Sequence, residues 1–272
     1  MESIGSHTAK YLRSLPPERL TDEDKQALKD YESNHGHQPT PEQLENRAKY
    51  LEKLTKQSEA EEIKISKDTF WRLFNDFYKA QNKSAFKVTK ESLQNIMPVV
   101  LYFTKDDEFF ECPNLSNLHK PSFDKGLLLI GSYGTGKSSV LKACQSVLQQ
   151  FGKSYAIHNM NDVVSNYEQC QEPQDKTTFW HYMTNGNACF DDVKTEREAS
   201  NYGKANLFKD IFEKRYLNPN IITHLTCNYS DAHPNDLEKG IDDFGIRYGG
   251  RVYDRMSEKF NVVEFKGVSM RE

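Results

Sequence analysis

An α/β fold with a parallel sheet and helices on both faces is what the sequence predicts, and three observations carry that expectation. Short apolar runs alternate with helical patterns from about residue 127 to 265, the first run leads directly into a glycine-rich loop, and another ends in paired aspartates. Strands that alternate with helices indicate a parallel sheet covered on both sides. The runs are Leu127 to Ile130, Tyr155 to Ile157, Ala188 to Phe190, Ile221 to Thr226 and Val262 to Phe265. Ahead of them Phe70, Trp71, Leu73, Phe74, Phe77 and Tyr78 stand at helical spacing, which predicts a packing helix. A further helix is expected over Thr89 to Phe103 through Leu93, Ile96, Val100 and Leu101, and Pro113 to Phe123 reads as a loop.

The region before this helical pair has another character. Residues 1–66 hold 10 Lys plus Arg against 13 Asp plus Glu, with Pro16-Pro17 and Pro39-Thr40-Pro41 as breaks. Thr21 ahead of Glu23 and Asp24 can cap a helix over Asp22 to Tyr31, and Thr40-Pro41-Glu42-Gln43 opens a second. The second helix would carry a stripe of Leu44, Ala48, Leu51 and Leu54, which needs something to pack against: another protein, or the chain itself. The expected organisation is therefore a charged helical N-terminal partner-binding region or arm over 1–66, a helical packing segment over 67–113 and the sheet domain over 114–272.

Leu127-Leu128-Leu129-Ile130 is followed at once by Gly131, Ser132, Tyr133, Gly134, Thr135, Gly136, Lys137 and Ser138, a full GxxxxGK[ST] match, with Ser139 next. Glycines permit a turn whose amides converge on phosphate oxygens, and the helix expected from Lys137 to Phe151 adds its positive end to the same site. Lys137 would reach the terminal phosphates and Ser138 would bring its hydroxyl to Mg²⁺, so ATP and Mg²⁺ are the expected cofactors. Gly152 supplies a natural stop for that helix.

About fifty residues further on, Asn187 to Val193 reads as a strand ending in Asp191-Asp192. Asp191 would hold the metal through water, and Asp192 would polarise the attacking water, a role usually taken by the longer Glu. The next strand ends in Thr226-Cys227-Asn228. A polar side chain at the carboxyl end of a neighbouring parallel strand lies where ligands bind, so Asn228 is a candidate to orient water or sense phosphate. Arg247, Arg251 and Arg255 recur every four residues; if helical, Arg251 and Arg255 share a face. A guanidinium fork can stabilise phosphoryl-transfer charge, often from a neighbouring subunit; DNA phosphates or a salt bridge to Asp254 or Glu258 are the competing partners.

Taken together, Gly131 to Ser138, Cys189 to Val193, the Thr226-Cys227-Asn228 strand end and Asp254-Arg255-Met256 make the chain resemble the AAA+ ATPases of the DnaC/IstB group. Smaller matches lie at Lys125 to Gly131, Asn201-Tyr202-Gly203, Glu213 to Tyr216 and Phe265 to Arg271, and the resemblance spans about 114–271. It implies a P-loop NTPase (AAA+) domain, with Arg255 as the arginine finger, Arg251 as its companion and Arg271 as a sensor arginine near the nucleotide. With Glu272 the last residue, no helical lid of the kind most AAA+ proteins carry is expected, which is again similar to this group. The helicase-loader branch is favoured, which implies a hexameric replicative DNA helicase and single-stranded DNA as partners, and self-association through the ATP interface. An IstB-like transposition helper acting with a transposase on duplex DNA is the alternative. A kinase fits less well, since no acceptor-binding motif accompanies the paired acids.

Composition narrows the remaining classes. A formal charge of -4 argues against coating nucleic acid by bulk charge, although a local basic strip is compatible with it. Ile96 to Phe103, the longest near-continuous apolar run, is eight residues and contains Pro98, far short of a membrane span. No basic start followed by an apolar stretch is readable at Met1, so the cytosol is the expected location. Five cysteines without CxxC spacing read as reduced thiols, two of them inside core strands. Tyr167, Lys176, Phe179, Trp180, His181 and Tyr182 could stack on single-stranded DNA, or could be core.

Overall fold

The computed structural model describes residues 12, 19–35, 64–201 and 203–269. The chain divides into two compact units, Met1–Glu62 and Ile63–Glu272. In the first, helix α1 spans Asp22–His35. Thr21 and Asp24 cap it reciprocally, the Asp24 N–H donating to Thr21 Oγ1 at 3.1 Å and the Thr21 N–H to Asp24 Oδ2 at 3.0 Å. The second helix expected there, over 40–54, lies outside the described residues.

The second unit opens with α2 (Lys67–Asn82) and α3 (Lys90–Thr104), which precede the sheet. Ser66 caps α2 by accepting the Thr69 N–H, and Phe70, Phe74 and Tyr78 form a buried stripe four residues apart. Then follow β1 (Gly126–Gly131), α4 (Lys137–Gln149), β2 (Ala156–Asn159), α5 (Met160–Gln169), α6 (Pro173–Thr184) and β3 (Ala188–Val193). A small antiparallel pair, β4 (Ala199–Ser200) with β5 (Lys204–Ala205), leads to α7 (Leu207–Tyr216) and β6 (Thr223–Asn228). The last elements are α8 (Leu237–Tyr248), α9 (Gly250–Lys259) and β7 (Phe260–Phe265).

Five strands form one parallel sheet in the order β2-β3-β6-β1-β7. Strand β1 is buried along its whole length, and its side chains alternate between two cores: Leu128 and Ile130 on one face, Leu127 and Leu129 on the other. The same alternation places Phe190 and Val262 on the first face, Cys189 and Val263 on the second. Helices therefore cover both sides, and each fully buried aliphatic or aromatic side chain contributes roughly 1.5–3 kcal/mol. Every expected strand and the helices expected from 67, 89 and 137 are present, with ends shifted by a few residues at most. Cys189 and Cys227 are the core-strand thiols, and all five cysteines are free.

Helix α2 lies along α4. Gln81 Nε2 donates to Ser146 Oγ at 2.9 Å, and the Ser139 hydroxyl donates to Asn82 Oδ1 at 2.9 Å. This contact carries the end of α2 to the carboxyl edge of the sheet. Two further features differ from the sequence expectation. Gly249 has φ +92° and breaks the 237–259 segment, so Arg247 belongs to the last turn of α8 while Arg251 and Arg255 belong to α9. In β3, Phe190 pairs with Leu225 but Val193 with Cys227, so one extra residue bulges at the aspartate pair.

Candidate functional site

The carboxyl ends of β1, β3 and β6 open onto a cavity of about 480 Å³. Its floor is the loop between β1 and α4. Gly134 and Gly136 have φ +76° and +88°, values at which a side chain strains the backbone, and a Cβ at Gly134 would lie 2.2 Å from Ser269 Oγ. Tyr133 to Ser139 all line the cavity, together with Asp192 and Asn228. Gly131 and Ser132 begin the same loop, with Ser132 Oγ 3.2 Å from Asn235 Oδ1.

Lys137 is only 5 % exposed. Its ammonium donates to the carbonyls of Gly131 at 3.0 Å and Ser132 at 2.8 Å, and to Asn228 Oδ1 at 3.0 Å. These acceptors are neutral; a phosphate oxygen carrying formal charge would bind the same donors more strongly. Tyr133 is 60 % exposed at the loop's tip, and its hydroxyl donates to Asp231 Oδ1 at 3.1 Å. Partial burial and that bond hold its phenol above the ordinary pKa.

Beside the loop, hydroxyls and carboxylates form a chain. Ser138 Oγ and Thr226 Oγ1 each donate to Asp191 Oδ1 at 2.6 Å, while Thr226 Oγ1 accepts the Asp192 N–H at 2.9 Å. The bulge in β3 makes this possible, because two successive aspartates on a regular strand would face opposite sides of the sheet. Asp191 is buried, and Asp192 turns into the cavity on a backbone with φ +58°. The arrangement suits phosphate groups at the loop and a divalent cation at Ser138 and Asp191, a serine hydroxyl plus a carboxylate being a usual protein contribution to Mg²⁺. Asp192 and Asn228 then border the place where the outermost phosphate would sit.

Residues not expected at the site complete the wall: Tyr78 and Asn82 from the end of α2, Ser84 just beyond it, and Thr195 after β3. Their only sequence signal was the helical stripe ending at Tyr78. The arginines are elsewhere. Arg255 stacks its guanidinium 4.0 Å from the Tyr216 ring centre, and Tyr216 lines a cleft with Gly126 and Thr223, the amino ends of β1 and β6. Arg251 is exposed on the same helix. Neither lines the cavity at this chain's own loop, and Arg271 lies outside the described residues. Arg247 is held within the domain, its Nη2 donating to the Glu196 carbonyl and its Nε lying 3.6 Å from Glu196 Oε1.

The aromatic group of α5 and α6 is divided. Phe179 is buried, Tyr167 and Trp180 pack on the same core, and Tyr182 is exposed. Among the described residues no helix is long and apolar enough to cross a membrane.

No protein-family model matches the sequence, and no curated protein matches it significantly. Solved structures do match. The crystal structure of the DnaC helicase loader superposes with a TM-score of 0.50 at 18% identity, covering 72% of this chain and 98% of that one. The crystal structure of DnaI gives 0.46 at 17% identity, covering 70% of this chain and 92% of that one. At such identities the likeness is one of fold: a five-stranded parallel sheet flanked by helices, as in the structure of the DnaC helicase loader.

Proposed function

We propose that the cavity binds Mg·ATP and hydrolyses it, and that the chain is an ATP-dependent, DnaC-like helicase loader acting on a replicative DNA helicase and single-stranded DNA. The observation that supports this reading most is the chain from Ser138 through Asp191 and Thr226 to Asp192, beside the buried ammonium of Lys137. It unites a phosphate loop, a metal-side carboxylate and a second carboxylate at the cavity.

In this reading the loop amides from Tyr133 to Ser139 and the Lys137 ammonium hold the phosphates. Ser138 and Asp191 hold Mg²⁺, which when bound neutralises charge on the phosphate oxygens. Asp192 accepts a proton from water or polarises it, and Asn228 orients that water. Tyr78, Asn82 and Ser84 bound the far side of the nucleotide. Arg255, supported by Arg251, acts on the nucleotide of a neighbouring copy, which also explains why neither lines the cavity at its own loop. Arg271 is assigned, with the loop residues, to nucleotide binding as a sensor arginine, and residues 1–66 to the helicase.

Two measurements test the two halves of this function. Asp192→Asn should bind Mg·ATP as the parent does yet lose turnover by on the order of 10²-fold or more, as removal of a general base does; parental hydrolysis by the variant would remove Asp192 from the chemistry. For the partner, the full chain with Mg·ATP should retain a hexameric replicative helicase in a pull-down with single-stranded DNA. Retention of a transposase on duplex DNA instead would assign the chain to transposition.

A further inference from the structure

Between Asp192 and Glu196 the chain follows a path its own residues disfavour. Asp192 has φ +58° and Lys194 has φ +80°, left-handed values that cost an L-residue with a Cβ. Such strain persists only where the surroundings impose it. Here they do so from α8.

Tyr248 stands at the centre. Its hydroxyl accepts the Lys194 N–H at 3.0 Å and donates to Glu196 Oε1 at 2.7 Å. The Lys194 ammonium reaches the Gly240 carbonyl at 3.0 Å and Asp243 Oδ2 at 3.2 Å, while Arg247 holds Glu196 at its backbone carbonyl. Glu196 is 3 % exposed, an uncommon burial for a carboxylate in a loop, and its Oε2 meets no hydrogen-bond donor among the described residues. A buried carboxylate with one unsatisfied oxygen is costly if packing alone is the aim. What it does accomplish is local: Lys194, in the middle of the strained turn, and Glu196, at its end, are fixed to a single phenol. Inside that span Thr195 Oγ1 donates to the Asp192 carbonyl at 2.7 Å, and Asp192 and Thr195 are the two residues of the turn that line the cavity. Neither Tyr248 nor Glu196 lines it.

We propose that Tyr248 and Glu196 are positioning residues which hold the left-handed turn so that the Asp192 carboxylate faces the outermost phosphate. This rests on the reading of Asp192 as the group that acts on water. Their contribution is to the orientation of one side chain, and nucleotide affinity, which depends on the loop and Lys137, is independent of them.

The test uses the full chain and compares parent, Asp192→Asn, Tyr248→Phe, Glu196→Gln and Glu196→Ala. ATP affinity comes from calorimetry and turnover from single-turnover hydrolysis normalised to bound ATP. Tyr248→Phe should bind ATP within about twofold of the parent and hydrolyse it on the order of 10²-fold more slowly, the usual cost of misplacing a reacting group by about an ångström. Glu196→Gln keeps an acceptor for the phenol and should retain more turnover than Glu196→Ala. A merely structural role would lower the melting temperature and the fraction of chains that bind ATP, with hydrolysis per bound ATP unchanged. That result, or Tyr248→Phe and Glu196→Ala both at the parental rate while Asp192→Asn is silent, overturns the proposal alone. A parent without turnover, or an active Asp192→Asn, overturns the hydrolytic reading and this proposal with it.

Discussion

The Lys137 ammonium and the Asn228 carboxamide oxygen stand 3.0 Å apart, tying the phosphate loop after β1 to the end of the neighbouring strand β6. One buried cation thus links the two strand ends that frame the cavity, and its removal should act on binding before anything else.

Lys137→Ala should abolish tight ATP binding while the fold is kept. At ATP a hundred times its dissociation constant, binding would stabilise the parent by about 2.7 kcal/mol. For a domain of this size that raises the melting temperature by roughly 5–10 °C. The variant should show no such rise, and equal ATP affinity for the two chains in calorimetry would refute the site.

Thr226→Val should be costly despite its near-identical shape. Thr226 is fully buried, and its hydroxyl bonds both Asp191 and the Asp192 N–H. Valine leaves that N–H without its acceptor, a loss of about 1–3 kcal/mol. A melting temperature several degrees below the parent's is expected from calorimetric scans, and an unchanged one would mean the hydroxyl does not hold the turn.

His224 predicts a pH dependence. Its Nδ1 accepts the Leu127 N–H at 3.1 Å, and burial, followed by the charges of Arg215 and Lys105, pushes its pKa from 6.5 down to about 3. The unfolded chain takes up this proton near pH 6.5, the folded chain only near pH 3. The stability from this group is complete above about pH 6.5 and is lost by about 1.4 kcal/mol per unit as pH falls through that window. His224→Asn keeps an acceptor and cannot titrate, so its unfolding free energy, measured by denaturant at about pH 7, 6 and 5, should fall less steeply than the parent's. Parallel profiles would contradict the assignment.

Arg255 gives the assembly prediction. If it serves a neighbour's nucleotide, Arg255→Ala and Lys137→Ala should each be inactive alone, and mixing them should recover part of the activity at interfaces that pair an intact loop with an intact arginine. The readout is ATP hydrolysis per subunit against protein concentration. A mixture that stays inactive while the two chains co-assemble, or an Arg255→Ala chain at the parental rate, moves the role to Arg251 or to DNA contact.

The parts of the site that were legible in the sequence are those whose geometry is local. GxxxxGK[ST] specifies its own turn, and an apolar run ending in Asp-Asp or in Thr-Cys-Asn specifies which residues reach the sheet's edge. Less legible were contributions that depend on distant packing. Tyr78, Asn82 and Ser84 come to the cavity because α2 lies on α4, a pairing that no periodicity in either helix names. The bulge at Asp191 and Asp192 was invisible as well, since it depends on register against β6. Arg247 shared the four-residue spacing of Arg251 and Arg255, but the break at Gly249 and the buried Glu196 give it separate work.

The strand order carries a consequence for how the chain acquires its site during synthesis. Strand β1, from which the phosphate loop hangs, is made early, yet both of its neighbours, β6 and β7, are made late. Until residues 223–228 have left the ribosome, β1 has neither of its neighbouring strands, and its leucines have only helices to shelter against, those before β1 and those made between β1 and β6. Pairings over such a sequence separation are slow to close and leave apolar strands exposed in the meantime. A nascent chain therefore completes the cavity only once β6 brings Asn228 beside the loop after β1, and β7 closes the other edge of β1 later still.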